Sequence, residues 1–440
     1  MKRSLKALKF LTIGIVALVA IALLANVVVN SMANSRLESK IGALRDAGQP
    51  VAIIDLVRTT IPPESNAATY LRRAQADVEA IQKEVSAVSD AAPQLDQDRF
   101  DEGHLSPTLK NAIQAAFAAY PKVMGLLVQA AACPDYDRHL DLTADTGAFQ
   151  ESELINISAS RAVMRVLNYQ AMQQIADGNQ EEALRTCLLM FRLCRHFDHG
   201  PMLTNYLVAV ACRGVAVGTT NLALRIGPLT DASRDALDAE LGHHETVEPF
   251  QNALITERSF GLQRYRELSR ELNFGPIGLP WLKNDACGYI DLFGEVISLA
   301  GRPYADAERE LATSSAVANA GPLTRILVPT LQAMIEATCR VRAQMRALRV
   351  LNALARHSDV DNAAEPKLSH LGLPADVTID PFDGKPLHLK KLPDGWLIYA
   401  VGKNLKDDGG KLADLQDIGL GPPTATEKRE NADASEPGSM

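Results

Sequence analysis

The sequence predicts a mainly α-helical protein with four parts: a membrane-spanning helix at the N-terminus, a body of helical hairpins, a long helix, and a small β-hairpin module packed on that helix. Three observations predict this. From Phe10 through Ser35 no side chain is ionisable. Between Glu151 and Ala312 apolar residues recur at helical spacing in successive segments separated by short turns. Past Glu365 that period gives way to short apolar or alternating runs around Asp, Gly and Pro. The boundaries follow as residues 1–35, 36–322, 323–421 and a polar tail, 422–440, expected to be disordered.

The N-terminal run FLTIGIVALVAIALLANVVV would cover about 30 Å as a helix, the thickness of a bilayer's hydrocarbon core. Lys2, Arg3, Lys6 and Lys9 precede it, which predicts a cytoplasmic flank and a body outside the cytoplasm. Ser31-Met32-Ala33 offers a competing reading, a cleaved signal peptide, although the apolar run is longer than such signals use. Both readings export the body. A formal charge of -8 and 5% aromatic residues argue against nucleic acid as a partner. The six cysteines are scattered and form no CxxC, so neither a disulfide scaffold nor a zinc ribbon is expected. Cys187 and Cys194 share a helix face and read as core residues.

After the anchor a short helix is expected to end near Ala47 at Gly48 and Pro50. Pro62-Pro63 then lead into a helix that Ser65 or Asn66 can cap. Ser106-Pro107 starts another by the same chemistry, expected to run to about Ala132. Gly178-Asn179 separates two helices in NYQAMQQIADGNQEEALRTCLLMF, and this join resembles one tetratricopeptide-type hairpin, with no second copy at that period. His196 and His199 fall in the last turn of the second helix, where they suit carbonyl capping. Further helices are expected at about 201–225, 231–242 and 245–273. After a break at NFGPIGLPW, two more follow at 283–300 and 303–312. In the long helix from Leu323 to Arg356, Pro329 either kinks the first turns or marks the true start. There Arg342, Arg346 and Arg349 sit one position round from an apolar stripe and read as a solvated face, with a strip for an acidic partner or lipid headgroup as the alternative.

Nucleophile-elbow, P-loop and HExxH signatures are absent from the sequence. Glu240, His243, His244 and Glu248 have spacings that could present metal ligands from a helix, but Gly242 predicts a turn inside the cluster. Glu240, Glu248 and Glu257 are the carboxylates an envelope-polymer hydrolase could use.

Asp380-Pro381-Phe382-Asp383-Gly384, the run Trp396 to Gly402 and Asp407-Asp408-Gly409-Gly410 together resemble the C-terminal module of type II secretion major pseudopilins. That resemblance implies a small sheet packed on a long helix, a calcium ion held near Asn404, Asp408, Asp414 and Asp417, and association with a secretion pseudopilus. It does not extend to the N-terminus, where Lys9 and Gly14 stand in place of the family's processing-site Gly and Glu. A loop closed by turn hydrogen bonds alone is the other reading. The whole layout, with Gly48-Gln49-Pro50, Ile61 to Leu71 and Asp380 to Leu387, is similar to uncharacterised anchored proteins of planctomycete-type bacteria. That likeness implies an architecture and no reaction. The expected function is therefore that of an anchored extracytoplasmic scaffold for protein partners.

Overall fold

A computed structural model describes residues 2–56, 61–91, 103–143, 146–271, 275–356, 366–412 and 416–422. The protein is mainly helical, with one N-terminal apolar helix and a small three-stranded antiparallel sheet near the C-terminus. It forms two compact units. The first comprises residues 1–57, 254–298 and 310–331, and the second residues 58–253, 299–309 and 332–440.

In the first unit, α1 (Lys2–Asp46) runs without interruption through the point where the sequence suggested separate anchor and helix. No Pro or positive-φ residue lies within it to break it. Phe10 and residues 12–25 are exposed. Within Thr12–Asp46 an 18-residue window has a mean hydropathy of 2.7 and none of it is buried. This helix is long and apolar enough to span a membrane. Its end is a Schellman turn: Gly48 takes φ 68°, the Gly48 N–H bonds Arg45 O at 2.9 Å and the Gln49 N–H bonds Leu44 O at 2.9 Å. Beyond it, Arg266 donates to Val51 O at 2.9 Å and Ser259 to Pro50 O at 3.2 Å.

The later part of α9 (Glu248–Glu271) and most of α10 (Gly275–Leu299) belong to this unit. The sequence reading placed a break at NFGPIGLPW, but helix begins at Gly275. Pro276 falls in the first turn, where no backbone donor is needed, and Pro280 is carried inside the helix. Asp285 of α10 is buried and accepts from Tyr265 Oη at 2.8 Å and from the backbone of Leu323 and Thr324, each at 3.0 Å. It thereby caps a one-turn helix, Pro322–Arg325, and a Cβ on Gly321 would lie 2.3 Å from its Oδ2.

The second unit opens with α2 (Ala67–Ala91). Asn66 caps it by accepting from the Ala68 N–H at 3.0 Å, and the same side chain donates to Asp137 O at 2.7 Å. Ser106 caps α3 (Pro107–Ala119) as expected, accepting from the Leu109 N–H at 3.2 Å. The single helix expected to reach Ala132 is two, because Tyr120-Pro121 intervenes: α4 (Val123–Ala132) turns away by 76°. Next come α5 (Thr146–Ala176) and α6 (Gln180–Phe197), joined at Gly178, whose φ of 77° permits the same Schellman geometry as Gly48. Both pack on α7 (Leu203–Ile226). That helix is also apolar enough to cross a membrane, but 61% of its apolar window is buried inside the unit.

Cys187 and Cys194 of α6 lie in this core. Burial pushes the Cys187 thiol up to about 12, and all six cysteines are unpaired. His196 is buried against Tyr136 and bonds the Ala130 backbone instead of capping its own helix. The expected helix at 231–242 is α8 (Asp231–Gly242).

α11 (Tyr304–Thr313) begins in the second unit and the one-turn α12 (Ser315–Ala318) lies in the first, with Pro322–Arg325 as α13. The last helix is α14 (Val328–Leu354), so Pro329 marks a start and not a kink. Beyond it β1 (His388–Leu392) and β2 (Gly395–Ala400) form the expected hairpin across Pro393-Asp394, and β3 (Ile418–Leu420) adds to β2. The module meets α14 through Arg346, whose Nη1 donates to Ile379 O at 2.7 Å. It meets α11 through Pro381 and Phe382, whose carbonyls each accept a first-turn N–H at 2.9 Å. The expected disordered tail lies outside the described residues except for Pro422.

Candidate functional site

Gly242 ends α8, and the turn it starts decides which members of the 240–248 cluster meet. His244 folds back into the core beneath α8 while His243 and Glu248 stay exposed. His244 Nε2 lies 3.7 Å from Glu240 Oε1. The Arg213 Nε–H donates to His244 Nδ1 at 3.0 Å, so a neutral imidazole carries its proton on Nε2, facing Glu240. Arg213 is also paired with Asp198. On its far side Glu240 meets Arg195 Nε at 3.1 Å and Arg192 Nε at 3.3 Å.

The result is a buried chain from Asp198 through Arg213 and His244 to Glu240, in which one cation and one neutral imidazole stand between two acids. Burial lowers the His244 pKa, with Glu240 opposing it. Burial would raise the pKa of Glu240, but His244, Arg195 and Arg192 outweigh it and hold the carboxyl below its usual range. Asp198 Oδ1 is buried without a hydrogen-bond partner and borders a cavity of about 20 Å³, room for one water molecule. Glu240 is therefore surrounded by cations, and Glu248 is exposed. Glu257 belongs to the other unit. Among the described residues no group of three His, Cys, Asp or Glu side chains converges as metal ligands would.

The arginine row of α14 is not a solvated face. Arg342, Arg346 and Arg349 are all buried. Arg349 makes a two-pronged pair with Asp238 of α8, at 2.8 and 3.2 Å, and Arg346 holds Glu245 at 3.0 Å. Arg342 borders the small cavity beside Asp198 and Arg213. Helical spacing places these side chains on one face, and the covering by α8 and the turn after it removes that face from water.

In the C-terminal loop Asp417 is buried, and its carboxylate accepts from the backbone of Asp408 at 3.3 Å, Gly410 at 2.7 Å and Lys411 at 3.2 Å. Asn404 donates its amide to Asp408 at 2.7 Å and accepts from the Lys406 N–H at 3.0 Å. Asp414 lies outside the described residues. Here amide and backbone N–H donors face the oxygens of Asp408 and Asp417. Calcium would need the Asn404 amide reversed so that its oxygen sits beside Asp408. Asp380 does the corresponding work in the preceding turn. It is fully buried and accepts from the Phe382 N–H at 2.6 Å and the Val401 N–H at 2.8 Å, and burial raises its pKa.

Sequence reasoning named Glu240 and His244 but missed Arg213 and Asp198. The signal for Arg213 was present: it is the lone charge within LVAVACRGVAV, and a guanidinium there demands a buried acid. No protein-family model, curated protein or solved structure matches this chain.

Proposed function

We propose that the chain is a membrane-anchored protein of the cell envelope whose helical body lies outside the cytoplasm and presents its surface to partner proteins. The exposed apolar stretch of α1 carries this reading. Phe10, Leu18, Leu24 and Met32 are each about 70% exposed, on a helix whose residues 12–25 are all exposed. So much contiguous apolar surface is stable in lipid and not in water. The basic residues before it orient the anchor with its N-terminus in the cytoplasm. The scaffold reading draws support from the body, where the buried acids Asp198 and Glu240 are each matched by arginines.

Protease added to the outer face of sealed membrane vesicles is expected to digest the body while α1 stays with the lipid. Protection of the body would reverse the orientation. Cross-linking in intact membranes followed by affinity capture is expected to return a partner in fixed ratio to the chain. Recovery of the chain alone would remove the scaffold reading.

A second reading, association with a secretion pseudopilus, is supported by the three-stranded module seated on α14 and α11. It predicts cross-links from the module to pseudopilin subunits and a calcium-dependent melting of the module. With neither, the module is a hairpin held by its own turns.

A further inference from the structure

The face of α2 formed by Ala68, Leu71, Arg72, Gln75 and Val78 lies opposite a face of α5 on which Ala159, Ser160 and Ala162 are small. Small side chains cannot fill the space between two helices. A cavity of about 170 Å³ remains, floored by apolar groups that include Val163 and Phe197. The segment after α4 crosses over it. Asn66 pins that segment at Asp137, accepting its N–H at 3.0 Å, and His139 takes a left-handed φ of 54°, so that the neighbouring Arg138 and Leu140 both border the cavity.

The charges at this cavity are unequal. Glu153 is not part of the lining; it is buried and engages two residues that are, pairing with Arg138 and accepting from Asn156 at 3.2 Å, and it also accepts from Asn205 at 3.0 Å. Glu79, on the rim, accepts from Gln75 at 2.9 Å and stands two turns, about 10 Å, from Arg72 along the helix. Arg72 is exposed on the rim and makes no ion pair or hydrogen bond among the described residues. Its guanidinium and that of Arg138 both lie within electrostatic reach of the phenol of Tyr136, a buried residue of the cavity wall. The space compares with a cavity that accepts one benzene ring. The unengaged group at its mouth is a planar, two-pronged donor suited to carboxylate.

We propose that this cavity binds a small amphipathic monocarboxylate, with an aromatic or branched apolar body between α2 and α5 and its carboxylate on Arg72. The site lies wholly within the second unit and does not depend on the scaffold reading. A body that senses such a compound would couple its occupancy to the packing of α2 on α5.

Equilibrium dialysis of the full chain in zwitterionic lipid nanodiscs against radiolabelled 3-phenylpropionate, with empty nanodiscs subtracted, tests this. Saturable binding of one molecule per chain is expected. Arg72→Met should weaken it about tenfold, as should replacing the acid by 3-phenylpropanol, and Ala159→Phe should abolish it by filling the space. Arg72 is exposed and unpaired among the described residues, so its variant folds and decides the question even if Ala159→Phe does not. Absence of saturable binding overturns the proposal. So does equal binding of acid and alcohol, or equal binding by Arg72→Met, since either reduces the site to an apolar hole.

Discussion

Buried acids in the helical body and in the C-terminal module are held by different kinds of partner. In the body, the buried Asp198 and Glu240 and the partly buried Glu245 and Asp238 are held by arginines drawn from other helices, some more than a hundred positions away. In the module, Asp380 and Asp417 are held by backbone N–H groups of the module itself: Asp380 by Phe382 of its own turn and by Val401 just after β2, Asp417 by Asp408 and Gly410 of its own loop. An arginine lost from the body leaves an uncompensated charge in the core. A carboxylate lost from the module leaves only unsatisfied dipoles. The two regions should therefore fail at different cost and respond to acid in opposite directions.

The largest effect is expected at Arg213. Arg213→Met strands Asp198 and should cost about 3 to 5 kcal/mol, while a double change with Asp198→Asn should regain most of it. Urea unfolding of the full chain in micelles, followed by helical circular dichroism, measures both. A loss under about 1 kcal/mol for the single variant would show that Asp198 finds water instead, and the contrast with the module would vanish.

Acid should separate the regions next. Burial, with help from His199 and Arg195, lowers the His196 pKa to about 4. The unfolded chain takes up this proton near pH 6.5 and the folded chain only near 4, so in that window the unfolded state binds more protons. Stability then falls as pH falls, by about 3 kcal/mol over the window, and His196→Gln should flatten the slope. Asp380 has the opposite sign. Burial raises its pKa, so just above pH 3.8 the folded module binds more protons than the unfolded one and gains stability as pH falls. Trp396 of β2 reports the module once Trp281 is changed to Phe, and circular dichroism reports the body. Parallel acid dependence of the two signals would sink this distinction.

A smaller and local loss is expected for Asp380→Ala. Two buried N–H groups, of Phe382 and Val401, lose their acceptor, which should cost about 2 kcal/mol in the Trp396 transition and leave the helical transition in place. Simultaneous loss of both signals would mean that the module and α14 unfold as one unit.

The same contrast explains what could be read from the sequence. Local chemistry was legible: the Ser106 cap, the span of α8, the Pro393-Asp394 turn and the core placement of Cys187 and Cys194 each depend on residues close together in the chain. The arginines of α14 were misread because periodicity describes one helix and carries no information on what covers its other faces. Glu240 and His244 were visible in one cluster, but spacing paired Glu240 with His243 and His244 with Glu248; that Glu240 and His244 meet each other, and Arg213 and Asp198, follows from the turn at Gly242 and the packing of α6 and α7. Proline needed its neighbours too. Pro121 broke a helix that composition alone would continue, whereas Pro276 and Pro280 were accommodated at the start of α10.

The smallest effect concerns Asp417. Its carboxylate accepts three backbone N–H groups, and Asp417→Asn should lose part of that acceptance for about 1 kcal/mol in the Trp396 transition. The donors belong to the loop's own backbone, so the loss is expected with chelator as well as with calcium. Any further gain on adding calcium measures what an ion contributes through Asn404, Asp408 and Asp414, and Asp408→Ala should remove that part alone. If Asp417→Asn matters only when calcium is present, the loop is organised by the ion and not by its backbone. The module would then resemble the body after all, holding its buried acid with a cation.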